Sequence, residues 1–430
     1  MKKFILIFLS LVLLFSCTKD DGSNNDDSGS IPTGIIGESD LEYLGAFRLP
    51  DGISDTKSWE WGGTSMTYFP GGDPDGPNDG YQGSIFGGGH EWEHQIAEID
   101  IPVPVISQSK NLSDLNRATF IQSFRDILNV GNLEMPRTGI QYLSAQTGQS
   151  EGKIYFCIGE HMQEHEKRAS HGMFDVNLSN PNKRGLWRVD DFLNYVTTDY
   201  MFEIPKNWAD EYIGGKCLAT GRFRDGGQGG MGPSLIAIAP WENGNTPENN
   251  ATIDARSLLL YQNVYVDNPK TMKDYHHSDE WSGGLWLTKG EKAAVVFIGT
   301  KGIGDCWYGF SNGVRWEEPY PNVPDYPHDD RGWWSTGFRA YFIFYDPADL
   351  IAVSKGEKAS YEPQPYLTID IGKYLFNGDY KTYETDHGDE QVQRKYRLGG
   401  CSFDRERGIM YVFELFADED RPLIHAWKIK

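Results

Sequence analysis

Apolar residues occur along this chain in short runs that Gly, Pro, Asn and Asp interrupt, and almost nowhere at helical spacing over a dozen residues. Short apolar runs separated by turn residues are typical of β-strands. Only residues 115–128 have a spacing that suits a helix. The pattern therefore predicts an all-β protein with one helical candidate.

A recurrent phrase adds detail to that fold. Each copy contains one or two glycines, a strand, a tight turn, a buried strand and a third strand with alternate apolar residues. Its first part reads "GGTSMTYFPGG", "GIQYLSA", "GGLWLTKG" and "GGCSFDRERG" in four copies. A unit that recurs about every 50–60 residues and cannot bury its faces alone is typical of a β-propeller blade.

The spacing of the copies leaves room for about seven blades in one ring. The opening strand "LEYLGAFRLP" has no unit of its own, and the last unit ends with "HAWKIK". We therefore predict a seven-bladed β-propeller that is closed by N- and C-terminal strands in one blade. A pair of β-sandwiches is the alternative, but it does not explain why the copies resemble each other.

The first 17 residues, "MKKFILIFLSLVLLFSC", read as a lipoprotein signal peptide and lipobox that end at Cys17. Lipidation of Cys17 would anchor the chain in a membrane, residues 18–39 would form a disordered tether, and residues 40–430 would form the catalytic propeller. The acidic tail after Cys17 resembles the surface-export signal of Bacteroidetes lipoproteins. This predicts an outer-membrane lipoprotein at the cell surface, with the periplasmic face as the alternative.

The charge of the chain excludes some partners. The 62 acidic and 40 basic residues give a net charge of -22, whereas nucleic acids and anionic membrane faces require a basic footprint. Four of the 5 cysteines lie beyond Cys17, far apart and without CxxC spacing, so a disulfide framework is not expected.

Arginine and glycine are concentrated in "GRFRDGGQGGMGPS", which contains Arg222 and Arg224. Glycine lets a ligand approach the backbone, and a guanidinium binds carboxylate or sulfate through two hydrogen bonds. The stretch predicts a site for a bulky anion. A glycine-rich turn with two solvated arginines is the alternative.

Five of the 10 histidines fall in two predicted loop regions: His90, His94, His161, His165 and His171. His90 follows "IFGGG" and His161 follows "FCIGE", which are equivalent positions of two units. Loops after such strands meet around the axis of a propeller, so these histidines are candidates for function rather than for packing alone.

The residue types favour one reaction over others. The chain contains no phosphate-loop motif, and "HEWEH" and "GQSEG", which match HExxH and GxSxG, fall in predicted loops rather than on a helix or at a strand-to-helix turn. Arginine, histidine and tyrosine together suit β-elimination beside a carboxylate, since arginine neutralises the uronate while the other two transfer protons. Arg222 or Arg224 would supply the cation, and Tyr200, just before them in the chain, is the nearest tyrosine on a predicted strand; His90 and Arg224 are predicted to bind substrate.

A second group, in "DYHHSDEW", "GDCWYG" and "YPHDDRGWW", contains His276, His277, Cys306 and His328. Cysteine and histidine are zinc ligands, so the group predicts a structural zinc site, although the spacing is long and irregular. Packing of a large aromatic loop is the alternative.

The phrases "ASHG", "GRFRDGGQGGMGPSL", "HHSDEWSGG" and "FYDPADL" resemble the seven-bladed propeller lyases that degrade ulvan, a sulfated rhamnose and uronic acid polymer of green algae. The resemblance implies a His/Tyr pair, an arginine that neutralises the uronate, and a structural zinc. The matching residues are His161 or His171, Tyr200, Arg222 and the sector of His276 and Cys306. The expected partner is thus an acidic polysaccharide.

Two other functions remain open at this point. A non-catalytic propeller that binds glycans would also suit the aromatic loops, such as "RGWWSTG". A glycoside hydrolase would need two carboxylates that face each other across the sugar, and the 62 acidic residues could supply such a pair.

Overall fold

The computed structural model describes residues 30–430, except 74–75, 77–79, 147, 162, 164, 224–229, 242–244, 263–269 and 379. Cys17 and Arg224 therefore lie outside the described residues. Within that part the chain forms two eight-residue helices, α1 (Lys206–Ile213) and α2 (Pro347–Ser354). The first turn of α2 is stabilised by Asp346, whose Oδ1 accepts a hydrogen bond from the Ala348 amide at 2.8 Å. The remaining regular structure is mainly β-strand.

The strands in chain order are β1 (Gly34–Ile35), β2 (Leu41–Arg48), β3 (Met66–Phe69), β4 (Gly80–Gly88), β5 (Ile96–Pro102), β6 (Phe120–Arg125), β7 (Arg137–Leu143), β8 (Lys153–Gly159), β9 (His171–Phe174), β10 (Arg184–Val189), β11 (Tyr200–Glu203), β12 (Leu218–Gly221), β13 (Ser234–Ile238), β14 (Thr252–Ile253), β15 (Ala255–Leu260), β16 (Glu280–Lys289), β17 (Lys292–Gly309), β18 (Gly332–Tyr345), β19 (Leu367–Asp370), β20 (Tyr380–Thr385), β21 (Gly388–Gln393), β22 (Leu398–Asp404), β23 (Ile409–Asp418) and β24 (Arg421–Ile429).

Five sheets of four or five strands form the blades of a β-propeller. Blade 1 contains β3–β6, blade 2 contains β7–β10 with β14, and blade 3 contains β11, β12, β13 and β15. Blade 4 contains β16–β19 with β1, and blade 5 contains β22–β24 with β2. The first strands contact each other in the order β3, β7, β11, β16, β22 and β3 again. The described part of the chain is therefore a five-bladed ring. The prediction of an all-β propeller is confirmed.

The prediction of seven blades is wrong, because two long segments occupy the chain that was assigned to further blades. Strands β17 and β18 continue as a paired hairpin beyond Thr300, and its loop runs from 310 to 331. The separate hairpin β20–β21 lies between blades 4 and 5. The helical candidate 115–128 is also wrong, because it contains strand β6, which pairs with β5.

Strands from the two ends of the described chain share blade 5. Strand β2 pairs antiparallel with β24, so that Leu41 lies opposite Ile429 and Arg48 lies opposite Leu423. Gly34–Ile35, within the range predicted as a tether, pair parallel with Lys292 and Ala293 of β17.

The hydrophobic core lies between the blades rather than in one central mass. Phe86 and Phe156 belong to a cluster between blades 1 and 2, whereas Phe47 and Tyr411 of blade 5 pack with Ile85 of blade 1. One larger cluster joins blades 2, 3 and 4, and another joins blades 4 and 5. Each blade thus buries both faces against its neighbours, as a propeller requires.

The glycines of the recurrent phrase lie where neighbouring first strands cross near the axis. A Cβ atom on Gly139 of β7 would lie 2.6 Å from Cα of Tyr200 in β11. A Cβ atom on Gly400 of β22 would lie 2.8 Å from the Met66 amide nitrogen in β3. Backbone atoms cannot move aside as a flexible side chain can, so the phrase requires glycine for close approach rather than for a turn.

Candidate functional site

The loops that precede each first strand and follow each second strand meet at one face of the ring. In blade 1 the Gly88 amide donates to the Ser65 carbonyl at 3.0 Å, which joins the end of β4 to the start of β3. His90, His161 and Arg222 follow the second strands of blades 1, 2 and 3 in the same way. We call this side of the molecule the loop face.

A small funnel opens at the axis of the loop face. Its two adjoining cavities have volumes of about 10 and about 40 Å3, and both are lined by Arg137, Asp199 and Phe223. The inner cavity also contacts Thr64 of blade 1, Ser282 of blade 4 and Leu398 of blade 5. The outer cavity is lined by Met135, Glu160, His161, Tyr195 and Thr198. We call the two together the axial cavity.

Arg137 is held at the centre of the axial cavity by the ring of Phe223. Its guanidinium carbon lies 3.7 Å from the centroid of that ring, a cation–π contact. The Phe223 amide donates to Asp199 Oδ2 at 2.7 Å, and the Phe223 carbonyl accepts from the Trp281 amide at 2.6 Å. Tyr396 stacks on the same phenyl ring with 6.4 Å between centroids. Contacts from three blades therefore fix the surface on which Arg137 rests.

His161 and Glu160 form the outer wall of the axial cavity. The His161 side chain is 36% exposed, and its Nδ1 lies 3.5 Å from Glu134 Oε1. The Glu134 amide donates to Glu160 Oε1 at 3.1 Å, and Arg168 pairs with Glu160 Oε2 at 2.8 Å. These contacts hold the pKa of Glu160 below its ordinary value, despite partial burial. Glu160 is thus an ionised carboxylate beside an accessible imidazole.

Four buried cations lie on β17 of blade 4 and in the segment before β22 of blade 5: Lys301, Arg394, Lys395 and Arg397. Lys301 Nζ contacts Asp279 Oδ2 at 2.9 Å, and Lys395 Nζ lies 3.9 Å from Glu280 Oε1. Burial raises the pKa of Asp279 to about 6, although Lys301 and two backbone amides oppose that shift. Burial also lowers the pKa of Arg394 to about 10. Two of these four cations are thus paired with buried carboxylates.

Three of the predicted catalytic residues lie inside the protein rather than at its surface. Arg222 is 1% exposed, and its Nε and Nη2 donate to the Gly232 carbonyl at 2.9 and 2.6 Å. The Tyr200 hydroxyl donates to the Ser234 carbonyl at 2.8 Å, and burial raises the pKa of Tyr200. Arg222 and Tyr200 thus both donate hydrogen bonds to backbone carbonyls of the glycine-rich segment "GRFRDGGQGGMGPS".

His171 is also buried, at the start of β9. Its Nε2 lies 3.0 Å from the Thr220 hydroxyl, and its Nδ1 lies 3.0 Å from the Ser170 hydroxyl. Burial lowers the pKa of His171 to about 3, so the ring is neutral at physiological pH. Of the four predicted catalytic residues, the structure places only His161 in the axial cavity.

His90, predicted to bind substrate, is buried between two tryptophans on the loop face. Its ring lies 5.2 Å from that of Trp61 and 5.1 Å from that of Trp92. His94 lies deeper, with Nδ1 2.9 Å from the Thr138 hydroxyl, and burial lowers its pKa to about 3. His90 therefore supports an exposed aromatic ring rather than reaching solvent itself.

The four predicted zinc ligands have different surroundings. His276 Nδ1 lies 3.2 Å from the Ser335 hydroxyl, and Cys306 Sγ lies 3.9 Å from the Ser278 hydroxyl, which itself contacts Ser335. His277 stacks on Trp333, and His328 Nδ1 lies 2.6 Å from the Ser311 hydroxyl. Within the described ranges no group of three His, Cys, Asp or Glu side chains could hold a metal ion. The four residues do not form one ligand set, and zinc stays a prediction.

Another cavity, of about 470 Å3, lies beside blade 4. Its walls include His276, Lys301 and Tyr341, but no arginine of the described chain lines it. The axial cavity, in contrast, combines arginine, histidine and tyrosine.

Sequence reasoning missed Arg137, Tyr195 and Asp199. Arg137 and Asp199 occur at or immediately before the first strand of a blade, at β7 and β11. The sequence offered a signal only for Arg137, which lies two residues before the phrase "GIQYLSA" that predicts a first strand.

Comparison with known proteins adds no family to this description: no family model matches the chain, and no curated protein matches it. The class that the fold defines is that of five-bladed β-propellers with an axial cavity on the loop face.

Proposed function

We propose that the protein is a polysaccharide lyase that cleaves a uronate-containing, sulfated algal polysaccharide such as ulvan by β-elimination. The observation that carries this proposal is that Arg137, His161 and Tyr195 line one cavity at the propeller axis. Elimination beside a carboxylate needs a cation for that carboxylate and two groups that transfer protons. The resemblance to ulvan lyases supports the same reaction, with Arg137 in the role first assigned to Arg222.

Each residue has a defined task in the proposed reaction. Arg137 binds the uronate carboxylate and stabilises the negative charge that develops as the adjacent carbon loses its proton. The His161 imidazole accepts that proton. The electron pair left behind forms the carbon–carbon double bond while the glycosidic carbon–oxygen bond breaks, and the Tyr195 hydroxyl protonates the leaving oxygen. His161 then releases its proton to water, and Tyr195 regains one from water.

Arg137 supports an anionic substrate. It lines both parts of the axial cavity, and a guanidinium can bind a carboxylate through two hydrogen bonds.

The hydrolase alternative finds less support. Glu160 and Asp199 both line the outer cavity, and could in principle face each other across a sugar. A glycosidase needs one of its two carboxyl groups protonated, and hence one raised pKa. The pKa of Glu160 is lowered instead, so this carboxylate is a poor general acid.

A non-catalytic glycan-binding propeller is the second candidate, and exposed aromatic rings on the loop face favour it. Trp92 is 60% exposed and Tyr320 is 57% exposed. Aromatic rings of this kind suit stacking against sugars whether or not a bond is broken.

Ultraviolet absorbance during incubation with ulvan tests the proposal, since elimination creates an absorbing unsaturated uronate and binding or hydrolysis creates none. Arg137→Ala should lower turnover about a hundredfold, the scale of removing one preorganised donor to a developing anion. Arg137→Lys should restore little, because an ammonium group lacks the bidentate grip.

Arg256→Ala is the matched control, because Arg256 lies in blade 3 far from the axial cavity and donates only to the exposed Ser354 carbonyl. Its turnover should equal that of the wild type. Ulvan that binds without any absorbing product would replace the lyase with the binding module. Full turnover by folded Arg137→Ala would remove Arg137 from the reaction.

We also propose that the chain is a lipoprotein of the outer membrane, exposed at the cell surface or at the periplasmic face. The support is the sequence that ends at Cys17. None of the helices in the described ranges is long and apolar enough to cross a membrane. Cys17→Ala should move the protein from the membrane fraction to the soluble fraction, and its recovery with membranes would contradict the anchor.

A further inference from the structure

We infer that Met135 is a site of reversible oxidation, and that its sulfoxide binds the Arg137 guanidinium and so closes the axial cavity to carboxylates. The inference rests on the proposed function in one respect, because it takes Arg137 as the group that binds the substrate. It adds a regulation of that site by hydroperoxides, the class of oxidant that the modification requires.

Met135 has an accessible side chain, unlike the methionines of the core. It directly precedes Pro136, in the loop that leads into β7, and is 57% exposed. The other methionines of the described ranges are Met66, Met173, Met201, Met231, Met272 and Met410. Met231 is partly buried, and the remaining five are at most 9% exposed. A thioether must meet the oxidant in order to react, so exposure makes Met135 the most susceptible methionine of the described chain.

Arg137 has hydrogen-bond donors that the fold leaves unused. Its guanidinium carbon lies 3.7 Å from the centroid of the Phe223 ring. A ring contacts the face of a guanidinium, whereas the N–H donors point outward in its plane. No oxygen of the described chain accepts a hydrogen bond from this side chain. Arg137 can thus bind a new acceptor without breaking an existing hydrogen bond.

The side chains of Met135 and Arg137 line the same small cavity. The outer part of the axial cavity, which both residues contact together with His161 and Tyr195, has a volume of about 40 Å3. Such a volume holds about three water molecules, so one added oxygen atom fills a substantial part of it. The loop that carries Met135 is held in place, since the His161 amide donates to the Glu134 carbonyl at 3.0 Å. An oxygen atom on the Met135 sulfur therefore enters the space that a carboxylate would take beside Arg137.

Oxidation converts this apolar side chain into a hydrogen-bond acceptor. A lone pair of the Met135 sulfur attacks one oxygen of hydrogen peroxide, so that an S–O bond forms and the O–O bond breaks. The proton of the transferred hydroxyl group passes to the departing hydroxide, which leaves as water. Sulfur is oxidised by two electrons, and the peroxide is reduced by two. The resulting sulfoxide is polar and accepts hydrogen bonds, so it competes with a carboxylate for the donors of Arg137.

Peptide mapping by mass spectrometry after exposure to hydrogen peroxide tests the modification. The peptide that contains Met135 should gain one oxygen atom about tenfold faster than the peptides of the buried methionines. Methionine sulfoxide reductase should remove that atom again. Equal rates of oxidation for Met135 and the fully buried Met410 in the folded protein would overturn the inference.

The rate at which phenylglyoxal modifies Arg137 tests the second step without any substrate. This reagent attacks accessible guanidinium groups, so an acceptor bound to Arg137 slows it. Oxidation of the wild type should slow this modification about tenfold, the scale of one hydrogen bond to a charged group. Met135→Leu should react at the same rate before and after peroxide, whereas Met231→Leu, the matched methionine control, should respond as the wild type does. An unchanged rate in the oxidised wild type would overturn the inference.

The half-buried thiol of Cys306 is a second group that peroxide can reach, since the other cysteines of the described ranges are buried. Calorimetry with ulvan should show about tenfold weaker binding by the oxidised wild type, and Cys306→Ser should lose affinity on oxidation to the same extent. If Cys306→Ser keeps its affinity after peroxide, the thiol is the regulated group and the assignment to Met135 is wrong.

The outcome is separable from that of the proposed function. Slower modification of Arg137 after oxidation, with no ultraviolet product from the unoxidised wild type, would support the oxidation site and reject the lyase. Full elimination activity by protein whose Met135 is oxidised would support the lyase and reject the oxidation site.

Discussion

Replacement of Arg222 with alanine distinguishes a buried structural role from a substrate-binding role for this residue. In the structure the guanidinium is turned away from solvent and donates twice to the carbonyl oxygen of Gly232. Alanine would remove both donors and leave that buried carbonyl without them. The expected result is lower stability of the propeller, because a polar group that folding has removed from water loses its partner.

The magnitude follows from the geometry. Both donors meet one acceptor, so we count one hydrogen-bonded interaction with a charged group, worth about 1.5–3 kcal/mol. An unfolding entropy of about 2.1 cal/mol/K per residue over roughly 400 residues gives about 0.8 kcal/mol/K. Arg222→Ala should therefore lower the free energy of unfolding by about 1.5–3 kcal/mol and the melting temperature by about 2–4 °C. Arg222→Lys should recover at most half, since an ammonium group cannot reproduce the fork.

Urea unfolding followed by tryptophan fluorescence measures this difference, with Arg256→Ala as the control. Arg256 also donates to a carbonyl, that of Ser354, but at an exposed position. Its loss should change the free energy of unfolding by no more than about 0.5 kcal/mol. If Arg222→Ala unfolds like the wild type yet loses turnover on ulvan, the structural interpretation is refuted and the uronate-binding role returns to Arg222.

Two further predictions concern pH and metal. His94 and His171 have pKa values lowered to about 3 by burial, so the unfolded state binds more protons below pH 6.5. The contribution of each histidine to the free energy of unfolding is complete above pH 6.5 and falls by about 1.4 kcal/mol per pH unit toward pH 3. His171→Gln should reduce the slope of unfolding free energy against pH by that amount. An unchanged slope would contradict the lowered pKa of His171. If a structural zinc lies in the sector of His276 and Cys306, the purified protein should contain one equivalent of zinc, and chelation should lower its melting temperature. Purified protein that contains no zinc, with a melting temperature that chelation leaves unchanged, would exclude the site.

The fold class could be predicted because the information is local. Short apolar runs predicted β-strands, and the glycine phrase predicted blades. The number of blades could not be predicted, because spacing does not distinguish a blade from an extended hairpin such as β17–β18 or an inserted one such as β20–β21. Residues 115–128 have helical spacing, but Phe124 in this segment packs edge-on against Trp59 from within β6. Tertiary contact thus overrides a local pattern there.

The candidate site could be predicted only in part. Recurrence of the loop position identified His161, which does line the axial cavity. The contact between Arg137 and Phe223 joins blades 2 and 3, and no local pattern encodes such a pair. The inward direction of Arg222 could likewise not be predicted, because the sequence does not show that its guanidinium meets the Gly232 carbonyl ten residues later. Burial of a polar side chain is decided by the partners that the fold supplies.

Because of the glycines at the crossings of the first strands, the angle between any two neighbouring blades depends on the angles between all the others. Successive blades must together complete a full turn, so a wider spacing at Gly139 has to be compensated by narrower angles at the other crossings. A methyl group there would shift β7, which begins at Arg137, against β11, which follows Asp199. The axial cavity would change shape although no residue that lines it had been altered. The aperture at the axis is in this sense set by all five blades at once.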